Sequence, residues 1–233
     1  MISVPLFLTE PHECSYLDDQ AAQTVFVHPS YPVNTPVYSL LIEKGFRRSG
    51  DDVYATKCPA CTACLSARIP VSRFKPDRRQ RRCWRKNHDT HTIIKNAQFD
   101  PRHFDLYLKY QNFKHPGGSM AEVDEAEYNR FLSSSWCDTR FVEFWRQDQL
   151  MAVAVVDFLG DALSAVYTFF EPDLAHFSPG TYGVLWQIDY AKKHGMEYVY
   201  LGYWIEQCPK MSYKSQYKPL EVLIGQHWRM AGE

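Results

Sequence analysis

Between Arg68 and Lys86 the chain carries nine lysines and arginines (Arg68, Arg73, Lys75, Arg78, Arg79, Arg81, Arg82, Arg85, Lys86) against one acid, Asp77. Charged side chains are almost never fully buried without a partner, so this stretch is bound to a surface that meets an anion. Elsewhere the sequence holds 17 basic and 26 acidic residues. The formal net charge of −1 is therefore an average over a +8 segment and a −9 remainder. Charge concentrated in this way points to a local anionic partner rather than to general stickiness.

Asp77-Arg78-Arg79-Gln80 has the arrangement of a capping box, in which the acid accepts from a free backbone N–H and the amide reaches back. A helix starting there places Arg78, Arg81, Arg82 and Arg85 at i, i+3, i+4 and i+7, on one face. Like charges at that spacing cost a few tenths of a kcal/mol per pair, and early arginines oppose the helix dipole. A solvated face is the ordinary explanation of a charge run, but such faces usually mix signs. An anion-binding face is the alternative, since the planar guanidinium fork suits phosphates and carboxylates.

A length of 233 residues, 45% hydrophobic and 15% aromatic, is that of a folded globular chain with one large domain or two small ones. No apolar run is long enough to span a bilayer, so no membrane association is expected. MISVPLFLTEPHEC makes a poor secretory signal, with no basic start and with Glu10 and Glu13 early. Seven cysteines without an export signal argue against a disulfide framework, and a cytoplasmic location is expected.

Punctuation along the chain predicts an α/β (α+β) architecture. Pro36 to Gly45 reads as a helix stopped by glycine, and FRRSGDDVYAT as a hairpin. Ala67 to Phe74 alternates as a strand does. Helices are expected over 104–113 and 122–132, on either side of the HPGGSM loop. The remainder reads strand, strand, helix, strand: Gln149 to Phe158 and Ala162 to Phe170 around Gly160-Asp161, Tyr182 to His194, then Glu197 to Trp204. A boundary near Phe99–Pro101 divides the chain into 1–100 and 101–233.

Cys58, Cys61 and Cys64 are spaced as metal ligands, with Cys14, or else His12, as a fourth. Zinc, an iron–sulfur cluster and a simple set of buried apolar thiols near a turn all remain open for Cys14, Cys58, Cys61 and Cys64, and no cofactor or metal is assigned. Cys83, Cys137 and Cys208 stand apart from any base and read as structural.

LSAVYTFFEPDLAHFSPGTYGVLWQIDYAKKHGMEYVYLGYWI and CPKMSYKSQYKPLEVL closely resemble the C-terminal region of the arginyl-tRNA–protein transferase family. GFRRSGDDVYA, the cysteine cluster and FKPDRRQRRCWRKN resemble its N-terminal region, and the likeness runs collinearly from about 12 to 228. The short chain resembles the bacterial branch, whose members transfer leucine. It departs from the eukaryotic branch, reading Cys14-Ser-Tyr-Leu17 where that branch has a paired-cysteine CGYC. The resemblance implies a smaller N-terminal α/β region before an acetyltransferase-like (GNAT) catalytic half that takes aminoacyl-tRNA instead of acyl-CoA. Consistently, the Arg/Gln-x-x-Gly-x-Gly pyrophosphate loop is missing, and Pro179-Gly180-Thr181-Tyr182-Gly183 is a poor substitute.

The implied reaction moves leucine from Leu-tRNA to a protein beginning with Asp or Glu, marking it for degradation. Arginyl transfer and a CoA-dependent acyl transfer are the alternatives. The expected site has Tyr167, Tyr203, Tyr213 and Lys214 at the ester. Arg78, Arg81, Arg82 and Arg85 are expected on the acidic acceptor, and Lys75, Arg79, Lys86, Lys210 and Tyr217 on the tRNA.

Overall fold

The computed structural model describes residues 3–232. Four short strands come first: β1 (Leu6–Leu8), β2 (His12–Glu13), β3 (Ala21–Ala22) and β4 (Thr24–Val27). Helix α1 (Thr35–Glu43) begins on Asn34, whose side chain accepts from the Val37 N–H at 3.0 Å. Pro36 sits in its first turn, where a missing N–H costs nothing. The chain leaves the helix through Gly45, at φ 92°, a conformation that favours glycine. The expected hairpin follows as β5 (Arg47–Ser49) and β6 (Asp52–Thr56), and a small sheet forms in the order β1-β4-β6-β5.

The remaining elements are β7 (Leu65–Pro70), α2 (Arg78–Lys86), β8 (Thr90–Asn96), α3 (Pro101–Lys114), α4 (Glu125–Leu132) and β9 (Thr139–Arg146). Then come β10 (Gln149–Phe158), β11 (Ala162–Phe170), α5 (Pro179–Lys193), β12 (Tyr198–Trp204), β13 (Glu221–Ile224) and β14 (His227–Met230). Eight strands join one sheet, ordered β14-β13-β7-β12-β11-β10-β9-β8. Every neighbouring pair is antiparallel except β11 and β12, which run parallel with α5 as their crossover.

Both faces of this sheet are covered, so its central strands read as continuous apolar runs rather than alternating ones. On β10, Ala152, Ala154 and Val156 join a core with Leu185, Ile188 and Ala191 of α5 and Cys83 of α2. Val153 and Val155 point the other way, onto Leu106, Tyr107 and Tyr110 of α3 and Tyr128 and Leu132 of α4. A third cluster seats α1 on the sheet, through Tyr38 and Ile42 against Leu159, Ala162 and Tyr200.

The sequence expectation of strand, strand, helix, strand omits β9, β13 and β14, and it missed β8 as well. β9 carries Arg140 and Glu143 inside an otherwise apolar run, and β8 is an edge strand of Thr, His, Lys and Asn around two isoleucines. Neither gives a clean period of two. The strand expected at Ala67–Phe74 runs instead from Leu65 to Pro70, where proline ends the ladder and a 3₁₀ turn begins. The sheet draws strands from both sides of residue 100, and β7 lies between β12 and β13.

Two buried ion pairs fix this arrangement. Arg48 of β5 grips Asp157 of β10 with both ends of its fork, at 2.8 and 2.6 Å, and neither side chain is exposed. Thr139 and the Leu132 carbonyl accept from the same guanidinium, at 3.0 and 3.4 Å. Arg68 of β7, counted above with the basic segment, is instead drawn into the sheet. It meets Glu221 at 2.8 Å and stacks on Tyr198 and Trp228, at 3.6 and 4.2 Å from their ring centroids. Removing one partner strands a buried charge, so Arg48→Ala or Asp157→Ala should cost about 3–5 kcal/mol in urea unfolding. Arg68→Ala should cost about 2–3 kcal/mol in the same measurement.

Candidate functional site: the split between two parallel strands

β11 and β12 pair only at their beginnings, Ala162–Ser164 with Tyr198–Tyr200. Beyond those residues β12 breaks register against β7 between Tyr200 and Gly202, and Gly202 stands at φ 77°. The two strands then run on without pairing to each other, leaving a split lined by backbone that no ladder satisfies. Tyr167 of β11 and Tyr203 of β12 both lie beyond the paired residues. The 3₁₀ turn Ser212–Gln216 brings Tyr213 and Lys214.

Tyr167 is held from behind. Gln111 of α3, fully buried, donates its Nε2 to the Tyr167 hydroxyl at 2.8 Å. The phenolic proton is then free to point elsewhere, as a donor. Burial raises the Tyr167 pKa, so the donor stays protonated at neutral pH. Tyr213, 46% exposed, is the accessible member of the group. Lys214 is buried and donates to the Tyr203 carbonyl. Burial first, and then Arg47 nearby, lower its pKa to about 8.

The Tyr203 hydroxyl has local work: it donates to the Gly45 carbonyl at 2.9 Å and accepts from the Thr56 N–H at 3.3 Å. Its pKa is pushed up to about 12, chiefly by burial. Tyr203 therefore ties the small N-terminal sheet to β12, a role that its aromatic setting in the sequence does not reveal.

The basic helix forms as its capping box foretold. Gln80 N–H donates to Asp77 at 2.7 Å, and the Asp77 N–H donates to the Gln80 side chain at 2.9 Å. The Gln80 amide nitrogen also donates to the Gln216 carbonyl at 3.0 Å, which ties α2 to the turn bearing Lys214. Arg78, Arg79, Arg82 and Arg85 are exposed around one open concavity of about 540 Å³. Arg81 leaves the stripe, donating to the Pro76 carbonyl at 2.6 Å, and faces a second groove between α2 and α5. That groove, about 490 Å³, has an apolar floor that includes Phe74, Trp84, Leu185 and Ile188. The four arginines expected together thus border two concavities, with Arg85 shared by both.

Of the residues expected on tRNA, Lys75, Arg79, Lys86 and Lys210 are exposed, and Lys86 donates to the His176 carbonyl at 2.7 Å. Tyr217 is not available there. It is 3% exposed, packed 6.5 Å from the Phe74 ring in the core, because the chain after Lys214 turns inward to reach β13. Its hydroxyl is pushed up in pKa by that burial.

Cys14, Cys58, Cys61 and Cys64 are half-buried free thiols. Burial raises the Cys64 thiol to about 11, and the neighbouring Cys58, Cys14 and Cys61 add to the shift. A tighter group of ligand types, Asp100, His103 and Glu143, already holds a cation: Lys95 Nζ lies 2.7 Å from Glu143 and 4.0 Å from Asp100. Among the described residues no helix is long and apolar enough to cross a membrane.

Two family models match the chain: "Arginine-tRNA-protein transferase, N terminus" over residues 12–82 and "Arginine-tRNA-protein transferase, C terminus" over residues 102–224. The aspartate/glutamate leucyltransferase of Pseudomonas fluorescens (strain Pf0-1) is 46% identical over 222 residues, 95% of this chain and 94% of that protein. The same-named protein of Acinetobacter baumannii (strain AYE) is 44% identical over 224 residues, 96% of this chain and 83% of that protein. Among solved structures, the C-terminal domain of a protein assigned as a lysylphosphatidylglycerol synthetase from Agrobacterium fabrum superposes with a TM-score of 0.50. It is 12% identical, covering 71% of this chain and 61% of that one, a likeness of fold alone. The chain belongs to the arginine-tRNA-protein transferase family.

Proposed function

We propose that this protein moves leucine from Leu-tRNA onto the N-terminal Asp or Glu of an acceptor protein. Identity of 44–46% to leucyltransferases across nearly the whole chain supports the donor and the acceptor. The observation in the molecule that carries the reading is the β11–β12 split with Tyr167, Tyr213 and Lys214 around it. We read the large sheet as acetyltransferase-like, because a parallel pair joined by a crossover helix and parting beyond it gives an acyl group a slot between strands.

The reaction is aminolysis of an ester. The acceptor α-amine, with an unperturbed pKa of about 7.7–8.0, supplies a neutral fraction at physiological pH. Its nitrogen bonds to the aminoacyl carbon, the carbonyl becomes a tetrahedral oxyanion, and the C–O bond to the ribose breaks as its oxygen takes up a proton. No covalent enzyme intermediate is required, since positioning and oxyanion stabilisation can supply much of the barrier. On this reading Tyr167, whose hydroxyl accepts from Gln111, donates to that oxyanion. Because an oxyanion donor is worth roughly 10²–10³ in rate, Tyr167→Phe should lower kcat about 100-fold with little change in KM for tRNA. Gln111→Leu should give an intermediate loss in the same single-turnover assay.

The exposed arginines of α2 suit phosphates better than a single carboxylate. An exposed ion pair contributes only about 0–1 kcal/mol, too little to select one side chain. Many such contacts together bind a polyanion, with affinity that falls steeply as salt rises. We assign Arg78, Arg79, Arg82 and Arg85, with Lys75 and Lys86, to the tRNA backbone. Each Arg→Ala change at 78, 82 or 85 should weaken tRNA binding and reduce the slope of log K against log salt by about 1. An unchanged slope, with loss of Asp-starting acceptors only, would return the stripe to the acceptor.

The transfer itself is tested by incubating the protein with Leu-tRNA or Arg-tRNA and peptides starting Asp, Glu, Lys or Ala. The expected mass gain is one leucine, on Asp and Glu peptides alone. A gain from Arg-tRNA instead overturns the donor, and gains on Lys or Ala peptides overturn the acceptor.

A further inference from the structure

The most deeply buried arginines of this fold meet carboxylates, with one exception. Arg48 and Arg68 each hold an acid at 2.8 Å or less. Arg47, 5% exposed, has carbonyls only: its Nη1 donates to Phe46 and Ile42 at 2.6 and 3.3 Å, and its Nη2 to Gly202 at 3.4 Å. Its Nε is buried with no hydrogen-bond partner among the described residues. Lys214, 7% exposed, donates to the Tyr203 carbonyl, and among the described residues the ionisable groups that act on it are Arg47 and the Cys208 thiol, with no carboxylate. Two cations are thus desolvated side by side at the bulge of β12, each raising the cost of the other. The carbonyl end of α1 and the Tyr200 and Tyr203 rings, 5.7 and 5.5 Å from the guanidinium, offset part of the Arg47 charge. Lys214 has the Tyr213 ring at 5.8 Å, a weaker compensation than a carboxylate would give.

Such a pair is stable at low cost only with an anion beside it. We propose that Lys214, backed by Arg47, receives the side-chain carboxylate of the acceptor's first residue, and so distinguishes Asp and Glu from their amides. This rests on the transfer reading given above. Gly202 lies against the lysine: a Cβ there would sit 3.7 Å from its Nζ, and the residue's φ of 77° favours glycine. A lysine suits the task because an ammonium on a flexible stem is a point charge, able to meet carboxylates of two lengths where a rigid fork would favour one. A desolvated cation also rejects asparagine and glutamine strongly, since the amide leaves it unpaired. The α2 arginines, open to water, have no such penalty to impose.

The test uses the full chain and short peptides that begin Asp or Asn and are otherwise identical. Binding is read by titration calorimetry without tRNA, and kcat/KM by transfer from Leu-tRNA. The wild type should prefer Asp in both. Lys214→Met should lower binding and kcat/KM for the Asp peptide by at least about 30-fold, the lower end of what removing one partner of a buried charge pair costs. The Asn peptide should change little, so the preference collapses, and Lys214→Arg should restore part of it. Because the change removes an uncompensated cation, the melting temperature of Lys214→Met should stay level or rise. A lower melting temperature with the preference intact assigns Lys214 to structure and overturns the proposal. Equal losses on Asp and Asn peptides also overturn it. Lys214-dependent binding of the Asp peptide without any transfer would keep the carboxylate site and refute the transfer reading. Transfer with an unchanged preference would do the reverse.

Discussion

The contact between Arg48 and Asp157 is where the two sequence halves become one object. Desolvating a carboxylate and a guanidinium is expensive, and the expense is met only when the geometry is right. Here the fork is bidentate, Thr139 donates to the same carboxylate at 2.8 Å, and backbone carbonyls of Leu132 and Gly50 take other N–H groups. The position of β5 over β10 is thereby fixed, although the two strands lie in different sheets, and with it that of the adjacent Arg47. Close packing reinforces this at Gly50, where a Cβ would lie 2.1 Å from the Arg130 carbonyl oxygen, so only glycine fits.

The candidate site is composite for the same reason. Tyr167 and Gln111 belong to the C-terminal half, while Arg47 and the carbonyl that receives the Tyr203 hydroxyl belong to the N-terminal one. Gln80 joins them from a third direction, since one side chain caps the basic helix and holds the Lys214 turn. The basic helix and the turn that carries the buried lysine are thereby tied together, although nothing in the sequence places residue 80 near residue 214.

Local signals were legible where one physical cause dominated. The capping box at Asp77, the glycine stop after α1, the hairpin at Gly160-Asp161 and the span of α5 all follow from backbone chemistry that neighbouring residues determine. Strands buried on both faces were harder, and β9 was missed because Glu143 interrupts its apolar run. Only the fold explains that acid, held by His103 at 2.6 Å, Lys95 at 2.7 Å and Trp145 at 2.8 Å. Arg47 escaped for a related reason. In the sequence it is one of two adjacent arginines in a hairpin, indistinguishable from Arg48, and only tertiary structure gives one an acid and leaves the other without. Tyr217 went the opposite way, from an expected contact surface to the core, since aromatic residues serve either use and burial alone decides.

The placement of β7 has a consequence for how such a molecule can be taken apart. The strand comes early in the chain, yet it occupies an interior slot, with β12 on one side and β13 on the other. Cutting at residue 100 would leave β12 with an open edge where its bulge and Gly202 lie, and would detach the β13–β14 hairpin from the rest of the sheet. Two stretches that read as separate modules along the polypeptide are interleaved like the teeth of a zip. Any history in which they were joined, shortened or exchanged had to carry the whole sheet with it.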